Sequence, residues 1–482
     1  MTSHIKRFNL DHPAFALDTE RTTYAFRVAP SGHLEHLYYG ARITLTADTV
    51  NALAERRAFE PGNVIRYRDK DSVTVLEDMM QEIGSVGHGD LGEPTVELVY
   101  PDGGRATDFL FESAEITDDK SPFDTLPGSY DESGAVEHLA VTLRDKRCGA
   151  RLELHYFVYP ECDVITRSAK LTNDGEGDIA LERLMSLRLD LPAAPYAVTS
   201  FHGAWAREMS RSTIVLDAGN FVSGSRAGYS SSRANPFIMV HAPGATEEAG
   251  EVYGFNLIYS GDHRESVEVN AFGKTRVVTG INPDGFRFIL APGESFEAPE
   301  AVITYSREGF SGQSRNMHAF VREHIVRGEW KGKARPILLN SWEAGYFDVS
   351  EGSLVSLAKT GRDLGIELFV MDDGWFGERN DDTSSLGDWD HNPKKLPGGV
   401  KRLGDKINAL GIDFGLWVEP EMVNVKSKLF EAHPDWAFGV PGEDQSEGRS
   451  QRVLDLANPA VADYITEKMT EVFSSANISY VK

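Results

Sequence analysis

Short alternating or β-branched runs, divided by turn formers, fill the first 330 residues. ARITLTA, VTVLE, TVELVY, HLAVTLR, RLELHYFVY, DVITRSAKLTN, RVVTGI and FRFILA have the composition and near period of two that mark strands. Between them stand Pro30-Ser31-Gly32, Pro101-Asp102-Gly103-Gly104, Asn173-Asp174-Gly175 and Asn282-Pro283-Asp284-Gly285, each a turn in residue type. The pattern predicts a large antiparallel β assembly over residues 1–330. Helical spacing is scarce there until its end, where Met317, Phe320, Val321, His324 and Ile325 share a face and predict a linking helix near 313–327.

Past Arg335 the order becomes strand, helix, strand, helix. PILLNSW, IELFVMDD, IDFGLWVEP and ISYVK read as strands. SLVSLAKTGRDLG and VKRLGDKINALG read as helices closed by Gly365 and Gly411, and Val400, Leu403, Ile407 and Leu410 form one stripe. A further helix begins at Asn458 as N-cap with Pro459 in the first position, and buries Val461, Tyr464, Ile465, Met469, Val472 and Phe473. LGIELFV and LGIDFGLWV are a weak internal repeat. Alternation of this kind predicts a parallel sheet or a (β/α)8 barrel over 331–482, of which four βα units are the first half.

Composition narrows the partners. In 482 residues, 49 Lys plus Arg stand against 74 Asp plus Glu, a net charge of −25, with 41% hydrophobic and 26% charged positions. That is a globular balance, and the acidity argues against nucleic acid. The N-terminal twenty residues hold no apolar run of secretory length and no stretch reaches a membrane span, which predicts a cytoplasmic protein that does not enter membranes. Cys148 and Cys162, the two cysteines of the chain, are expected to be ordinary thiols. His88, between two glycines, reads as a structural or exposed side chain, and ITDDKSPFDTLPGSYDES as a surface loop. No glycine-rich loop follows a strand and no His/Cys cluster has ligand spacing, so neither a cofactor nor a metal is expected.

The chemistry gathers at the predicted strand ends. Asp372 and Asp373 close the second strand and repel each other unless something bridges them. A divalent metal would need further oxygen ligands, and Asp381 and Asp382 nearby lack the spacing of a calcium loop. A solvated acidic turn is the plain alternative, and sugar hydroxyls are the bridge favoured here. Six of the seven tryptophans lie in the βα region, with Trp342, Trp375 and Trp417 at or just past strand ends, where a barrel places its active-site loops. Aromatic faces beside carboxylates suit a neutral carbohydrate. Glu419, Glu421, Arg449 and Lys482 lie at the same rim, although an isolated loop arginine is more often a solvated charge.

Asn340-Ser341-Trp342-Glu343-Ala344, Met371-Asp372-Asp373-Gly374-Trp375-Phe376-Gly377, Ser384-Ser385-Leu386-Gly387-Asp388-Trp389, Trp417-Val418-Glu419-Pro420-Glu421-Met422, His433-Pro434-Asp435-Trp436 and Gly448-Arg449 together resemble bacterial α-galactosidases of glycoside hydrolase family 36. HLYYGARI, MQEIGSVGHGDLGEP and RANPFI extend the likeness through the β-rich part, while His88, Leu91, Ser450 and Arg452 depart from the usual pattern. The resemblance implies an N-terminal β-supersandwich, a catalytic (β/α)8 barrel and a C-terminal β domain. It implies retaining hydrolysis of terminal α-linked galactose from sugars such as melibiose and raffinose, in a cytoplasmic homo-oligomer, commonly a tetramer. By position, Asp372 and Asp373 would bind the galactose 4- and 6-hydroxyls, Trp342 and Trp417 would line the pocket, and Arg449 and Lys482 would donate to ring hydroxyls. α-N-acetylgalactosaminidase or galactosyl-transferring activity, or a non-catalytic galactose-binding protein, are the alternatives.

The family's nucleophilic and acid/base aspartates fall beyond Lys482, so this chain is expected to be an N-terminal fragment with no catalytic residue of its own. The purified 482-residue chain is accordingly expected to give no turnover of p-nitrophenyl α-galactoside, and measurable turnover would refute that expectation.

Overall fold

A computed structural model describes residues 3–54, 62, 64–69, 74–120, 123 and 125–482. It divides into two compact units, Met1–Lys331 and Gly332–Lys482. Val73 of the VTVLE run and Ser121, Pro122 and Asp124 of the acidic loop lie outside the described residues.

The first unit is built from antiparallel sheets. Ile5–Phe8, Ala14–Asp18, Thr22–Val28 and Leu34–Ala41 form a four-stranded meander. A ten-stranded sheet includes Phe109–Thr117, Glu137–Asp145, Ala150–Tyr159, Val164–Asn173 and Glu300–Ser306. A six-stranded sheet is organised around Ile179–Leu191, paired with Thr275–Ile281 and Val96–Val99. One large core draws on all three, with Phe15, Phe26, Leu139, Leu154, Leu187 and Val277 among its buried members. The predicted turns supply their own hydrogen bonds. The Asn173 side chain accepts from the Gly175 N–H, and Gly103, at φ +79°, closes its turn onto the Tyr100 carbonyl. Cys148 and Cys162 are both free thiols.

Several expectations for this unit are corrected. ARITLTA is not a strand: pairing stops at Ala41, and Thr46 caps a short helix, Ala47–Val50, by accepting from the Thr49 N–H. Val75 and Leu76 are buried without strand pairing, in a turn. The helix near 313–327 begins earlier and spans Gly309–His324. Its buried stripe runs through Phe310, Gln313, Asn316, Phe320 and His324, which leaves Val321 exposed one position off the stripe. The meander over Ile5–Ala41 and the strand Ile179–Leu191 are absent from the sequence reading. Ala14–Asp18, Thr22–Val28 and Ile179–Leu191 are buried on both faces, so no period of two survives in them, and Arg188 and Asp190 sit inward where the pattern calls for apolar side chains.

Those inward charges are paired. Glu82 lies in the core of the β unit and accepts from Tyr24, Tyr156 and the Nη1 of Arg167, with His36 Nδ1 at 2.8 Å. Burial pushes its carboxyl up, but Arg167, His36 and Tyr156 outweigh burial and hold it below the ordinary glutamate range. Eight residues on, Asp90 takes Arg188 at 2.9 Å and Arg276 at 2.8 Å, while Arg188 also binds Asp190. The segment MQEIGSVGHGDLGEP is thus pinned to the sheet by buried charge. His88 stands only half-buried and Leu91 is exposed.

The second unit has a four-stranded parallel sheet in the order Leu338–Asn340, Leu368–Met371, Asp413–Leu416, Tyr480–Val481. Helices Glu351–Asp363, Gly399–Asn408 and Pro459–Ser474 fall between successive strands. Leu354, Ala358, Leu403, Ile407, Met469 and Val472 turn inward onto Phe369, Met371, Phe414 and Leu416. Ser350 and Asn458 cap their helices as side-chain acceptors, and Gly365 and Gly411 follow at positive φ. Outside the sheet, Met422–Asn424 pairs with Gln451–Val453, a contact the sequence reading lacks. Among the described residues no helix is long and apolar enough to cross a membrane.

Removing one member of a buried ion pair strands the other. Arg167→Met is expected to cost about 3–5 kcal/mol by leaving Glu82 without its guanidinium. Urea denaturation of the 482-residue chain measures it, and a loss below about 1 kcal/mol would contradict the pairing read here.

Candidate functional site

The carboxyl ends of the parallel strands hold the polar cluster. Asp372 and Asp373 follow Met371 directly, and each is at least 96% buried. Ser341 Oγ accepts the Asp372 N–H at 3.0 Å, and Met371 O accepts the Trp417 N–H at 2.9 Å, so the loops after three strands are tied together. Gly374, at φ +98°, is required by space as well as by conformation. A Cβ there would lie 3.0 Å from the Phe347 backbone.

The two carboxylates are held by different cations. Asp372 Oδ2 accepts from Lys482 Nζ at 2.6 Å and from Asn340 Nδ2 at 2.6 Å, and its Oδ1 accepts the Asp373 N–H at 2.9 Å. Asp373 receives the Gly374 N–H at 2.6 Å and a fork from Arg379, with Nε at 3.0 Å from Oδ1 and Nη2 at 2.8 Å from Oδ2. Three donors occupy each carboxylate. Two oxygens offer about four lone-pair positions, so about one acceptor position per aspartate stays available. Lys482 Nζ spends one of its three donors on Asp372, and its side chain is half exposed.

Trp342 begins a short helix, Trp342–Gly345, and stands half-buried with its ring edge-on to Tyr346 and Phe347, both at 5.1 Å. Trp417 is half-buried beside Phe376 and Trp389. Trp375, expected at the rim, is instead fully buried in the core, and its indole N–H donates to the Trp417 carbonyl at 3.1 Å. Trp389 lies in the same core.

Arg449 pairs with Asp382 and not with either member of the aspartate pair. Its exposed guanidinium donates to Asp382 Oδ1 at 3.1 Å, and both Arg449 and Ser450 take positive φ in a tight bend before the strand Gln451–Val453. Gln451, on that strand, donates to Glu419 Oε2 at 3.1 Å. Burial raises the Glu419 carboxyl above the ordinary glutamate range, and Glu421 adds to the shift against the pull of Arg449. Glu421 is exposed. Asp381 is occupied by Thr383, whose N–H and hydroxyl both donate to it.

Asn340, Arg379 and Lys395 carry the site and were not assigned by sequence. Asn340 opens the Asn-Ser-Trp-Glu-Ala motif, but only the fold shows it reaching both Asp372 and, through its side-chain Oδ1, the Trp342 N–H at 2.8 Å. Arg379 stands in the charged and polar run GERNDD and is fully buried. Lys395 Nζ donates to the carbonyls of Phe347, Gly374 and Arg379 at 2.8 to 2.9 Å, clamping the loop that follows Asp373. Burial depresses its ammonium, with Asp373 and Asp348 opposing.

Comparison with known proteins agrees across the chain. A family described as Glycosyl hydrolase family 36 N-terminal domain matches residues 32–291, and Melibiase matches residues 295–482. The α-galactosidase AgaA of Geobacillus stearothermophilus is 40% identical over 476 residues, covering 98% of this chain and 65% of that protein. A crystal structure of the α-galactosidase from Lactobacillus brevis superposes with a TM-score of 0.95 at 37% identity, covering 98% of this chain and 63% of that one. A variant of AgaA in complex with raffinose superposes with a TM-score of 0.94 at 40% identity, covering 97% and 65%. The chain therefore spans slightly less than two thirds of these relatives.

Glu419 gives the site a pH signature. With its folded-state carboxyl raised, the native chain binds more protons than the unfolded one as pH climbs above about 4.5, so this residue's contribution to stability falls with rising pH. Glu419→Gln is expected to remove that fall, its stability advantage over wild type growing from pH 4 to 7 in urea melts. A difference independent of pH would reject the assignment.

Proposed function

The chain belongs to glycosyl hydrolase family 36, and from that membership we propose that it carries the galactose-binding residues of an α-galactosidase acting on oligosaccharides such as raffinose and melibiose. The observation that carries the reading is the aspartate pair. Each carboxylate is buried and oriented by three donors, with about one acceptor position remaining. Two carboxylates with one vacancy each suit two neighbouring hydroxyls on one sugar, assigned here as the galactose 4- and 6-hydroxyls. Trp342 and Trp417 offer aromatic faces to the C–H surface of the ring. Lys482 has donors left for a ring hydroxyl, and Arg449 reaches one by exchanging Asp382 for substrate.

The same geometry argues against Asp372 or Asp373 as nucleophile or general acid, because each is locked to its own cation. Retaining hydrolysis needs two carboxyl groups about 5 to 5.5 Å apart on either side of the scissile bond. That pair is proposed to lie in the length the relatives carry beyond the matched part. The four parallel strands and their helices are proposed as part of a (β/α)8 barrel over 331–482 and onward, and residues 1–330 as the β-supersandwich.

Hydrogen bonds to a charged group are worth about 1.5–3 kcal/mol. In the full-length protein, Asp372→Asn is expected to weaken galactose binding about 10-fold or more by calorimetry, with glucose bound far more weakly than galactose by the wild type. Unchanged galactose affinity in the variant would reject this function for the site.

A further inference from the structure

Arg379 has no exposed surface, and its donors are almost all spent. Nε and Nη2 form the fork on Asp373, and Nη1 donates to the Ser384 carbonyl at 3.1 Å and to Asn424 Oδ1 at 3.0 Å. The remaining Nη2 hydrogen has Asp382 Oδ1 near it at 3.7 Å. The guanidinium also lies 5.3 Å from the Phe347 ring centre, on the residue whose backbone abuts Gly374. With four of its five donors spent on protein acceptors and no exposed surface, this arginine offers none to a ligand. Its influence on the site must pass through Asp373.

We propose that Arg379 is a positioning residue that fixes the Asp373 carboxylate in the one orientation presenting its vacant acceptor position to the sugar. The proposal rests on the galactose-binding reading of the site. Without the fork, a buried Asp373 faces Asp372 on one side and Glu419 on another. The Lys395 ammonium is consumed by three carbonyls and Lys482 is engaged with Asp372. Among the described residues, the other guanidinium at Asp382, that of Arg449, donates to Asp382 and not to Asp373. The fork is a geometric device as much as a charge. A lysine, a point charge on a flexible stem, keeps the ion pair and loses the orientation.

A double-mutant cycle on galactose affinity, read by calorimetry on the full-length protein, isolates the coupling. Asp373→Asn and Arg379→Gln are each expected to weaken galactose 10-fold or more. The double variant is expected to be no weaker than the weaker single variant, because Arg379 acts only through Asp373. Arg379→Lys should recover part of the loss, with a thermal melt establishing that each variant is folded. Additive losses, or full affinity in Arg379→Gln beside a weakened Asp373→Asn, would overturn the proposal while leaving the galactose site intact. Full affinity in Asp373→Asn would instead remove that carboxylate from the sugar site, and the proposal with it. If neither Arg379 variant folds, the residue is a structural anchor and the proposal fails.

Discussion

Two carboxylates on consecutive residues, both withdrawn from water, are compatible with a folded chain only where each has a cation and hydrogen-bond donors of its own. At the end of the second parallel strand this requirement organises the surroundings. Asp372 obtains its cation from a lysine 110 residues later, directly after the fourth strand, and Asp373 from an arginine six residues later in the adjoining loop. The parallel order of the strands brings the first pair together. The tight turn at Gly374, clamped by Lys395, brings the second. What remains after this internal satisfaction is small and directional, about one acceptor position on each aspartate beside two half-buried indoles. That remainder is the feature on which the proposed binding of sugar hydroxyls rests.

The β unit obeys the same rule without building an open site. Glu82 is paired with Arg167, His36, Tyr24 and Tyr156, and Asp90 with Arg188 and Arg276, of which Arg188 also binds Asp190. Neutral hydrophobic residues of equal volume would often be as stable in such places. What the ion pairs contribute is register: the segment from Met80 to Pro94 has little regular structure, and its inward acids tie it to particular positions on the strands. An excess of acidic residues over the whole chain is therefore compatible with strongly local pairing of its buried members.

How much was legible depended on whether the carrying residue followed its own type's habit. The helices of the second unit were readable because Asn458, Gly365 and Gly411 act at their ends by local geometry alone, whereas the cap at Ser350 went unread. The hairpin strands Glu137–Asp145 and Ala150–Tyr159 were readable because more and less buried positions alternate along much of their length, and Val164–Asn173, buried almost throughout, by its β-branched composition. Ile179–Leu191 was not, because Arg188 is buried against Asp90 and Asp190 against Arg276, both far along the chain. In the site, Asp372, Asp373 and the strand-end tryptophans announced themselves by being costly or large. Arg379 did not, since a guanidinium in a run of charges looks solvated until the fold closes over it.

By itself the sequence determined which residue types meet: adjacent acids after an apolar strand, indoles beside them, and a β-rich segment preceding a βα segment. Periodicity, capping and turn chemistry act over a few residues, and motifs preserve residue type in order. Only the tertiary structure decided that Trp375 is core while Trp342 and Trp417 stay half-buried. It also decided that Lys482 meets Asp372, that Arg449 rests on Asp382, and that Arg379 rather than a ligand satisfies most of Asp373. Those outcomes depend on distances between residues tens of positions apart, which strand order and burial set and no local pattern encodes.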